Sequence, residues 1–117
     1  MRMVFGAALA IVTTGALADE IGDAHRLALQ GRDSYWNCLA REYQNDGTKR
    51  MSTQTFTADI QSICPSERQN FRVTLIDYLS QQNPNAEAGS HLSTANRAIE
   101  LAQKDIINAF VKRKAAN

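Results

Sequence analysis

The chain has 117 residues, of which 44% are hydrophobic, and its 13 Lys and Arg against 12 Asp and Glu give a formal net charge of +1. This length allows a single domain with a modest core, which buries roughly 60–65% of the surface of the unfolded chain. A nearly neutral charge argues against nucleic-acid binding, because nucleic-acid-binding domains carry a strong excess of basic residues.

The N-terminal segment has the pattern of a targeting sequence. A short basic start at residues 1–3 precedes an apolar run over residues 4–12 and a small-x-small cleavage site at residues 16–18. This order is typical of a secretory signal peptide. We therefore predict a cleavable signal peptide over residues 1–18 and an exported domain, periplasmic or secreted, over residues 19–117.

An uncleaved membrane anchor is the alternative interpretation of this leader. Residues 3–18 are interrupted by Thr13, Thr14 and Gly15, and they fall short of the about 20 apolar residues that a spanning helix needs. No later hydrophobic run approaches that length. The sequence thus predicts no transmembrane segment once the leader is removed.

The first predicted helix covers Ile21 to Glu42. Small and apolar residues recur in it at intervals of three and four, as on the buried face of an amphipathic helix: Ile21, Ala24, Ala28, Gly31, Tyr35 and Cys38. A second stripe, made of Trp36, Leu39 and Tyr43, lies beside it. Because Gly31 costs a helix about 1 kcal/mol relative to alanine, we expect it to mark either a kink or a close helix crossing.

A polar turn and a short second helix follow. Residues 45–47 (NDG) are of the types that end a helix in a turn. Ser52 is the predicted N-cap of the second helix, with Met51 and Phe56 at the spacing of a hydrophobic staple. Pro65 ends this helix and begins the next, because proline lacks the amide hydrogen but fits the first helical position.

Two further helices complete the predicted fold. The third runs from Pro65 to about Gln82 and ends at the breaker segment 83–85 (NPN), and the fourth covers at least His91 to Lys114. Their predicted inward residues recur at helical spacing: Phe71, Leu75, Tyr78 and Leu79 in the third, and Leu92, Ala95, Ile99, Ala102, Ile106 and Phe110 in the fourth. The predicted fold class is all-α, a bundle of about four helices.

Cys38 and Cys64 are the strongest candidate pair in the chain. Two cysteines in an exported protein predict one structural disulfide. Closing a loop of about 25 residues would stabilise the fold by about 3–4 kcal/mol. A redox-active pair and an intermolecular link are the alternatives, and the absence of C-x-x-C spacing argues against the first.

The predicted bridge places a condition on the first two helices. If they were straight, antiparallel and joined near residues 47–48, the two cysteines would be out of alignment by about six residues, or roughly 9 Å. We therefore expect either a long inter-helix loop, which residues 45–50 can supply, or a steep crossing.

No constellation of residues marks catalysis, a cofactor or a metal. Glu87 and His91 are four residues apart, but two ligands make a weak metal site, so we interpret them as a solvated pair. His25 has no distinctive neighbour and is assigned to the surface or the core edge. Neither a Gly-x-Ser-x-Gly elbow nor a glycine-rich phosphate loop is present, and the sequence does not single out a pair among its twelve carboxylates.

Four residues are candidates for contact with a partner. Trp36 follows Tyr35 directly, so the two cannot share one direction, and an exposed tryptophan is typical of binding hot spots. Lys112, Arg113 and Lys114 could contact an anionic membrane or envelope polymer, although they also complement the dipole of the last helix. The other aromatic residues are interpreted as core.

The segment from Tyr35-Trp36-x-Cys38 through Cys64 to Glu67, Phe71 and Leu75 resembles a pattern found in small exported helical proteins of proteobacteria that have two cysteines and no assigned function. The resemblance covers roughly residues 33–80. It implies a pair of helices tied by a disulfide, and it brings no catalytic residues with it.

The sequence thus predicts a non-enzymatic binding or structural module of the cell envelope, without a cofactor, whose partner is an envelope protein or polymer. A small hydrolase-like envelope enzyme with acidic catalytic residues is the first alternative. A membrane-peripheral protein that uses its last helix is the second.

Overall fold

The computed structural model describes the backbone of residues 4–116 and the side chains of residues 18–87 and 89–116. Four α-helices follow one another: α1 (Val4–Gln44), α2 (Thr53–Ser62), α3 (Pro65–Gln82) and α4 (Ala88–Ala116). A short 3-10 helix, Asp46–Arg50, lies between α1 and α2. Within the described backbone no strand forms, and the prediction of an all-α fold with four helices is confirmed.

Helix α1 runs without a break through the predicted cleavage position after Ala18. The first buried side chain in the described part of α1 is Ala24, so the packed portion of this helix lies on the C-terminal side of that position. Cleavage itself stays a prediction. None of the helices, over the residues that the structure describes, has a stretch long and apolar enough to cross a membrane.

The predicted starts of α2 and α3 are confirmed, but α1 begins at Val4 and not at the predicted Ile21. Residues 45–47, predicted as a turn, lead into the 3-10 helix. The Asn45 side chain accepts a hydrogen bond from the Gly47 amide at 3.0 Å and caps the 3-10 helix. Ser52 accepts one from the Thr55 amide at 3.1 Å at the start of α2. Pro65 is the first residue of α3, where its missing amide hydrogen would have no partner within the helix.

The helices pack in an order that the sequence did not indicate. Helix α1 packs most extensively against α3, while α2 packs mainly against α4, which also contacts α3 and α1. One cluster of side chains forms the core: Tyr35, Leu39, Phe56, Ile60, Cys64, Phe71, Ile99, Ala102, Ile106 and Phe110. The α2–α3 junction, rather than the body of α2, therefore meets α1 at the disulfide.

Gly31 marks a close crossing of α1 and α3. A Cβ atom at this position would lie 2.8 Å from Thr74 Oγ1 and 3.1 Å from Phe71 Cα. The second distance is to backbone, which cannot move aside as the end of a flexible side chain can. The absence of a side chain at Gly31 thus lets the two helices approach each other, and this answers the question that the sequence left open.

Two predictions for α4 are wrong. His91, interpreted as solvated, is only 7% exposed, whereas Leu92, predicted to face inward, is 45% exposed. His91 lies four residues before buried Ala95, so it continues the buried stripe of α4 by one turn. Hydrophobicity alone points to the wrong one of these two neighbours because the position on the helix, and not the residue type, decides burial here.

Candidate binding site

The predicted disulfide between Cys38 and Cys64 is confirmed. The two sulfur atoms are bonded and the Cα atoms lie 6.2 Å apart. Cys64 adopts a left-handed backbone conformation with φ 56°, which turns the chain between α2 and α3. The sequence predicts that this bridge needs a long inter-helix loop or a steep crossing of the first two helices. The eight-residue connection 45–52, which contains the 3-10 helix, supplies the loop, and α2 packs mainly on α4.

One cluster near this bridge has the composition of a metal site without being one. A carboxylate oxygen of Glu67 and the sulfurs of Cys38 and Cys64 lie within 4.8 Å of one another. Zinc, the metal most often held by cysteine, is bound by thiolates, and both sulfurs are used in the disulfide. Glu67 is also the third residue of α3, and a carboxylate in the first turn is stabilised by the positive end of the helix dipole.

A carboxyl pair, Glu42 on α1 and Asp59 on α2, is a feature that the sequence did not single out. A hydrogen bond to the Asp59 carboxyl, burial, and the negative charge of Asp59 together raise the pKa of Glu42 above its usual value. While both carboxyls are ionised, the buried Asp59 Oδ2 has no hydrogen-bond donor among the described residues, and protonation of Glu42 supplies one. Neither residue lines either of the cavities described below.

The four predicted contact residues divide into two kinds. Trp36 is 43% exposed, and Lys112 is exposed as well. Arg113, in contrast, donates hydrogen bonds to the Tyr43 carbonyl at 3.0 Å and to Thr48 Oγ1 at 3.3 Å, and its guanidinium lies 4.2 Å from the centre of the Tyr43 ring. Arg113 therefore fastens the end of α4 to the last turn of α1 and to the connection that follows it.

Lys114 has a similar contact within the chain. Its ammonium donates a hydrogen bond of 2.6 Å to the carbonyl of Met51. Met51 is the residue just before the α2 N-cap. The basic end of α4 thus presents one of its three charges, that of Lys112, without a polar contact among the described residues. That these residues contact a partner stays a prediction.

A groove with a volume of about 670 Å³ lies between the end of α2, α3 and α4. Its lining combines three cations, one carboxylate, three amides and two isoleucines: Arg68, Arg72, Lys104, Glu100, Gln61, Asn96, Gln103, Ile99 and Ile107. With three positive side chains against one negative, the lining has a net charge of +2. The groove is therefore positive, although the whole chain is nearly neutral.

The two arginines of this groove are held in place by neutral groups. Arg68 Nη1 donates to the Gln61 carbonyl at 2.7 Å. Arg72 Nε donates to Asn96 Oδ1 at 3.0 Å, and its Nη1 donates to Gln69. Among the described residues, no carboxylate lies within 4.0 Å of either guanidinium. Their charges are thus oriented but not neutralised by an ion pair.

The floor of the groove is part of the core. Ile99 is 4% exposed, and Ile107 packs against the same core cluster. Gln103 Nε2 donates to the hydroxyl of fully buried Tyr35 at 3.0 Å. Because its floor and one amide are fixed by the core, the groove is a preformed surface and does not depend on a loop.

A second, smaller cavity of about 230 Å³ lies where α1, α3 and α4 meet. Its lining is mostly apolar: Ala28, Leu29, Phe71, Leu75 and Ala98, with His25, Arg32 and Tyr78. The His25 ring lies 4.7 Å from the Tyr78 ring, centre to centre, which gives this histidine the neighbour that the sequence did not reveal. The Arg32 guanidinium donates two hydrogen bonds, each of 3.1 Å, to Asp33 Oδ1.

The sequence shows the two helix faces that form the larger groove, but not that they meet. Arg68 and Arg72 are four residues apart, and Asn96, Gln103 and Ile107 recur at helical spacing on α4. Each helix face is visible in the sequence, but the contact between the faces depends on tertiary packing.

No protein-family model matches the chain, and no significantly similar chain is found among the curated proteins or the solved structures.

Proposed function

We propose that this protein is an exported, non-enzymatic binding module of the cell envelope, and that the groove between α3 and α4 holds an anionic group of its ligand. The observation that carries the proposal is the pair Arg68 and Arg72, which are fixed by neutral hydrogen-bond acceptors and have no carboxylate within 4.0 Å among the described residues. Two oriented guanidinium groups without an ion-pair partner are well suited to binding a carboxylate or phosphate.

The energetics favour recognition of an anion by these arginines. A guanidinium presents donors in a planar fork that fits two oxygens of a carboxylate or phosphate, and such bonds are stronger than neutral ones. Since both side chains are already held, less conformational entropy is lost on binding than with free side chains. Lys104 adds a third positive charge to the lining.

Two features support the exported location. The pattern of residues 1–18 is that of a signal peptide, and structural disulfides persist mainly in oxidising compartments. The first buried residue among the described side chains, Ala24, lies after the proposed cleavage position, so removal of residues 1–18 is compatible with the packing of the bundle. Mass spectrometry of the non-reduced protein from its native host tests cleavage and the disulfide together.

The experiment for the groove is an NMR titration of the oxidised, ¹⁵N-labelled protein with sodium tripolyphosphate as the probe. We expect the largest shifts at the Nε–H groups of Arg68 and Arg72 and at the side chain of Gln103. The double variant Arg68→Gln/Arg72→Gln should lose these shifts. Arg26→Gln, an exposed arginine paired with Asp23, is the matched control and should keep them.

Unchanged spectra, or shifts spread evenly over the surface arginines and lysines, would contradict the proposed site. Circular dichroism and the melting temperature of each variant show whether a loss of binding comes from a loss of fold. Raising the salt concentration should weaken binding of the probe, because the contacts are between solvent-exposed charges.

The carboxyl pair Glu42–Asp59 is the one observation that favours the enzyme alternative, since perturbed carboxyls are found at catalytic sites. The pair lines neither cavity, so it faces no described space for a substrate. The alternative of a membrane-peripheral protein is tested by flotation with anionic vesicles. Comparison of the protein with its Lys112→Gln variant shows whether the exposed charge at the end of α4 contributes.

A further inference from the structure

The chemistry of the groove limits the kind of anionic ligand that it fits. Arg68 and Arg72 lie one helical turn apart on α3, about 6 Å along the axis. Beside them, Ile99 and Ile107 provide an apolar floor. A ligand that uses both features must carry anionic groups and apolar groups alternately, on the scale of a few ångströms.

Amide side chains on α4 add a second requirement. The Asn96 oxygen accepts a hydrogen bond from Arg72, and the Gln103 nitrogen donates one to the Tyr35 hydroxyl. The NH₂ donors of Asn96 and the oxygen acceptor of Gln103 are therefore available to a ligand. These groups are seven residues apart, about 10 Å along α4. In an extended peptide that distance is spanned by about three residues, so one backbone carbonyl and one backbone amide of such a peptide can meet the two groups.

We propose that the occupant of the groove is an acidic, extended segment of another protein. Two of its carboxylates bind Arg68 and Arg72, its backbone bonds to the free groups of Asn96 and Gln103, and an apolar side chain lies on Ile99 and Ile107. This inference rests on the proposed function, because it names the ligand class of the same site.

Other polyanions fit the groove less well. Among the described residues no aromatic side chain lines it, so this lining lacks the stacking platform that single-stranded nucleic acids use. Polyphosphates and sulfated polysaccharides have no apolar side chains to cover Ile99 and Ile107, and burial of apolar area provides much of the free energy of association. A protein segment is the polyanion that satisfies the cations, the amides and the apolar floor together.

Fluorescence anisotropy of the oxidised protein with a labelled peptide tests the inference. The probe is a peptide of about ten residues in which glutamate and leucine are interspersed with serine, and a matched peptide carries glutamine in place of glutamate. Tripolyphosphate and heparin serve as competitors. We expect the glutamate peptide to bind and the glutamine peptide to bind at least about tenfold more weakly, since a charge-assisted hydrogen bond is worth more than a neutral one.

Variants of the protein locate the binding. Arg72→Gln should weaken binding of the glutamate peptide by about tenfold or more, whereas Arg72→Lys, which keeps the charge but loses the fork, should retain part of it. Arg26→Gln should leave the affinity unchanged. Melting temperatures identify any variant that has lost its fold. The Lys104 side chain has no polar contact among the described residues, so Lys104→Gln provides a second test with little risk to folding.

The outcomes separate the two proposals. If tripolyphosphate binds at the groove but the glutamate peptide does not bind, the acidic-segment inference is overturned and the anion-binding function stands. Equal binding of the glutamate and glutamine peptides also overturns the inference. If no anionic probe binds at Arg68 and Arg72, both proposals are wrong.

Discussion

The two ends of this helical bundle are stabilised by different means. The disulfide end, which contains the Cys38–Cys64 bond, has large buried side chains such as Leu39 and Ile60, and the Phe56 and Phe110 rings stack 4.0 Å apart. At the alanine end, Ala24, Ala28 and Ala95 are buried but lie outside this core cluster. One end relies on a covalent bond and apolar volume, and the other on close approach of small residues.

This difference indicates where the free energy of unfolding originates. Fully burying a Leu or Phe side chain contributes about 1.5–3 kcal/mol, and each further buried methylene about 0.8 kcal/mol, so alanines contribute little. The alanine end is thus expected to open first in local unfolding. The floor of the binding groove belongs to the core cluster through Ile99, which places the candidate site on the more stable part.

The largest expected effect is that of Phe110→Ala. This change removes the stacked partner of Phe56 and leaves a cavity, so we expect the free energy of unfolding to fall by about 3–5 kcal/mol. At the alanine end, Ala95→Gly should cost only about 0.5–1 kcal/mol, through backbone entropy. Urea denaturation of both variants measures the two values, and equal losses would contradict the difference between the ends.

Removal of the disulfide is expected to cost slightly less. In the double variant Cys38→Ala/Cys64→Ala, the loop between two cysteines 26 positions apart is no longer closed, which should lower the free energy of unfolding by about 3–4 kcal/mol. For a domain of this size that is a large share of the about 5–15 kcal/mol available. Thermal denaturation at equal protein concentration checks it, and an unchanged melting temperature would show that the bond is not structural.

Glycine-to-alanine substitutions test the close crossing at the α1–α3 contact. Gly31→Ala places a methyl group 3.1 Å from the Phe71 backbone, and the overpacking should cost about 1–3 kcal/mol, partly offset by better helix propensity. Gly22→Ala is the matched control, because no atom of the described residues lies within 4 Å of its added Cβ. That control should be neutral or stabilising by less than about 1 kcal/mol. A stabilising Gly31→Ala would argue against the crossing.

The smallest expected effect is a dependence of stability on pH at the disulfide end. The pKa of Glu42 is raised in the folded protein, chiefly by its hydrogen bond to Asp59, so the folded state binds this proton more tightly than the unfolded state does. The stabilising contribution is therefore present below the unfolded pKa and is lost as the pH rises through the folded value.

The comparison of wild type with Glu42→Gln isolates this contribution. Relative to wild type, the variant should gain stability as the pH is raised from about 4.5, the usual carboxyl range, towards neutrality, because the ionised wild-type pair repels itself. Urea denaturation at several pH values measures the difference. A difference that does not change with pH would show that the pKa of Glu42 is not raised in the folded protein.

Local features of the sequence determined the four helices and the disulfide. Helical periodicity, the Ser52 cap and the helix-starting Pro65 act within a few residues, and with only two cysteines there is one possible intramolecular pair. Tertiary packing decided what depends on residues far apart in the chain: the crossing at Gly31, the burial of His91, the attachment of Arg113, and the meeting of Arg68 and Arg72 with α4. Periodicity shows which face of each helix is apolar, but not which helix covers it, and the groove arises where two such faces meet.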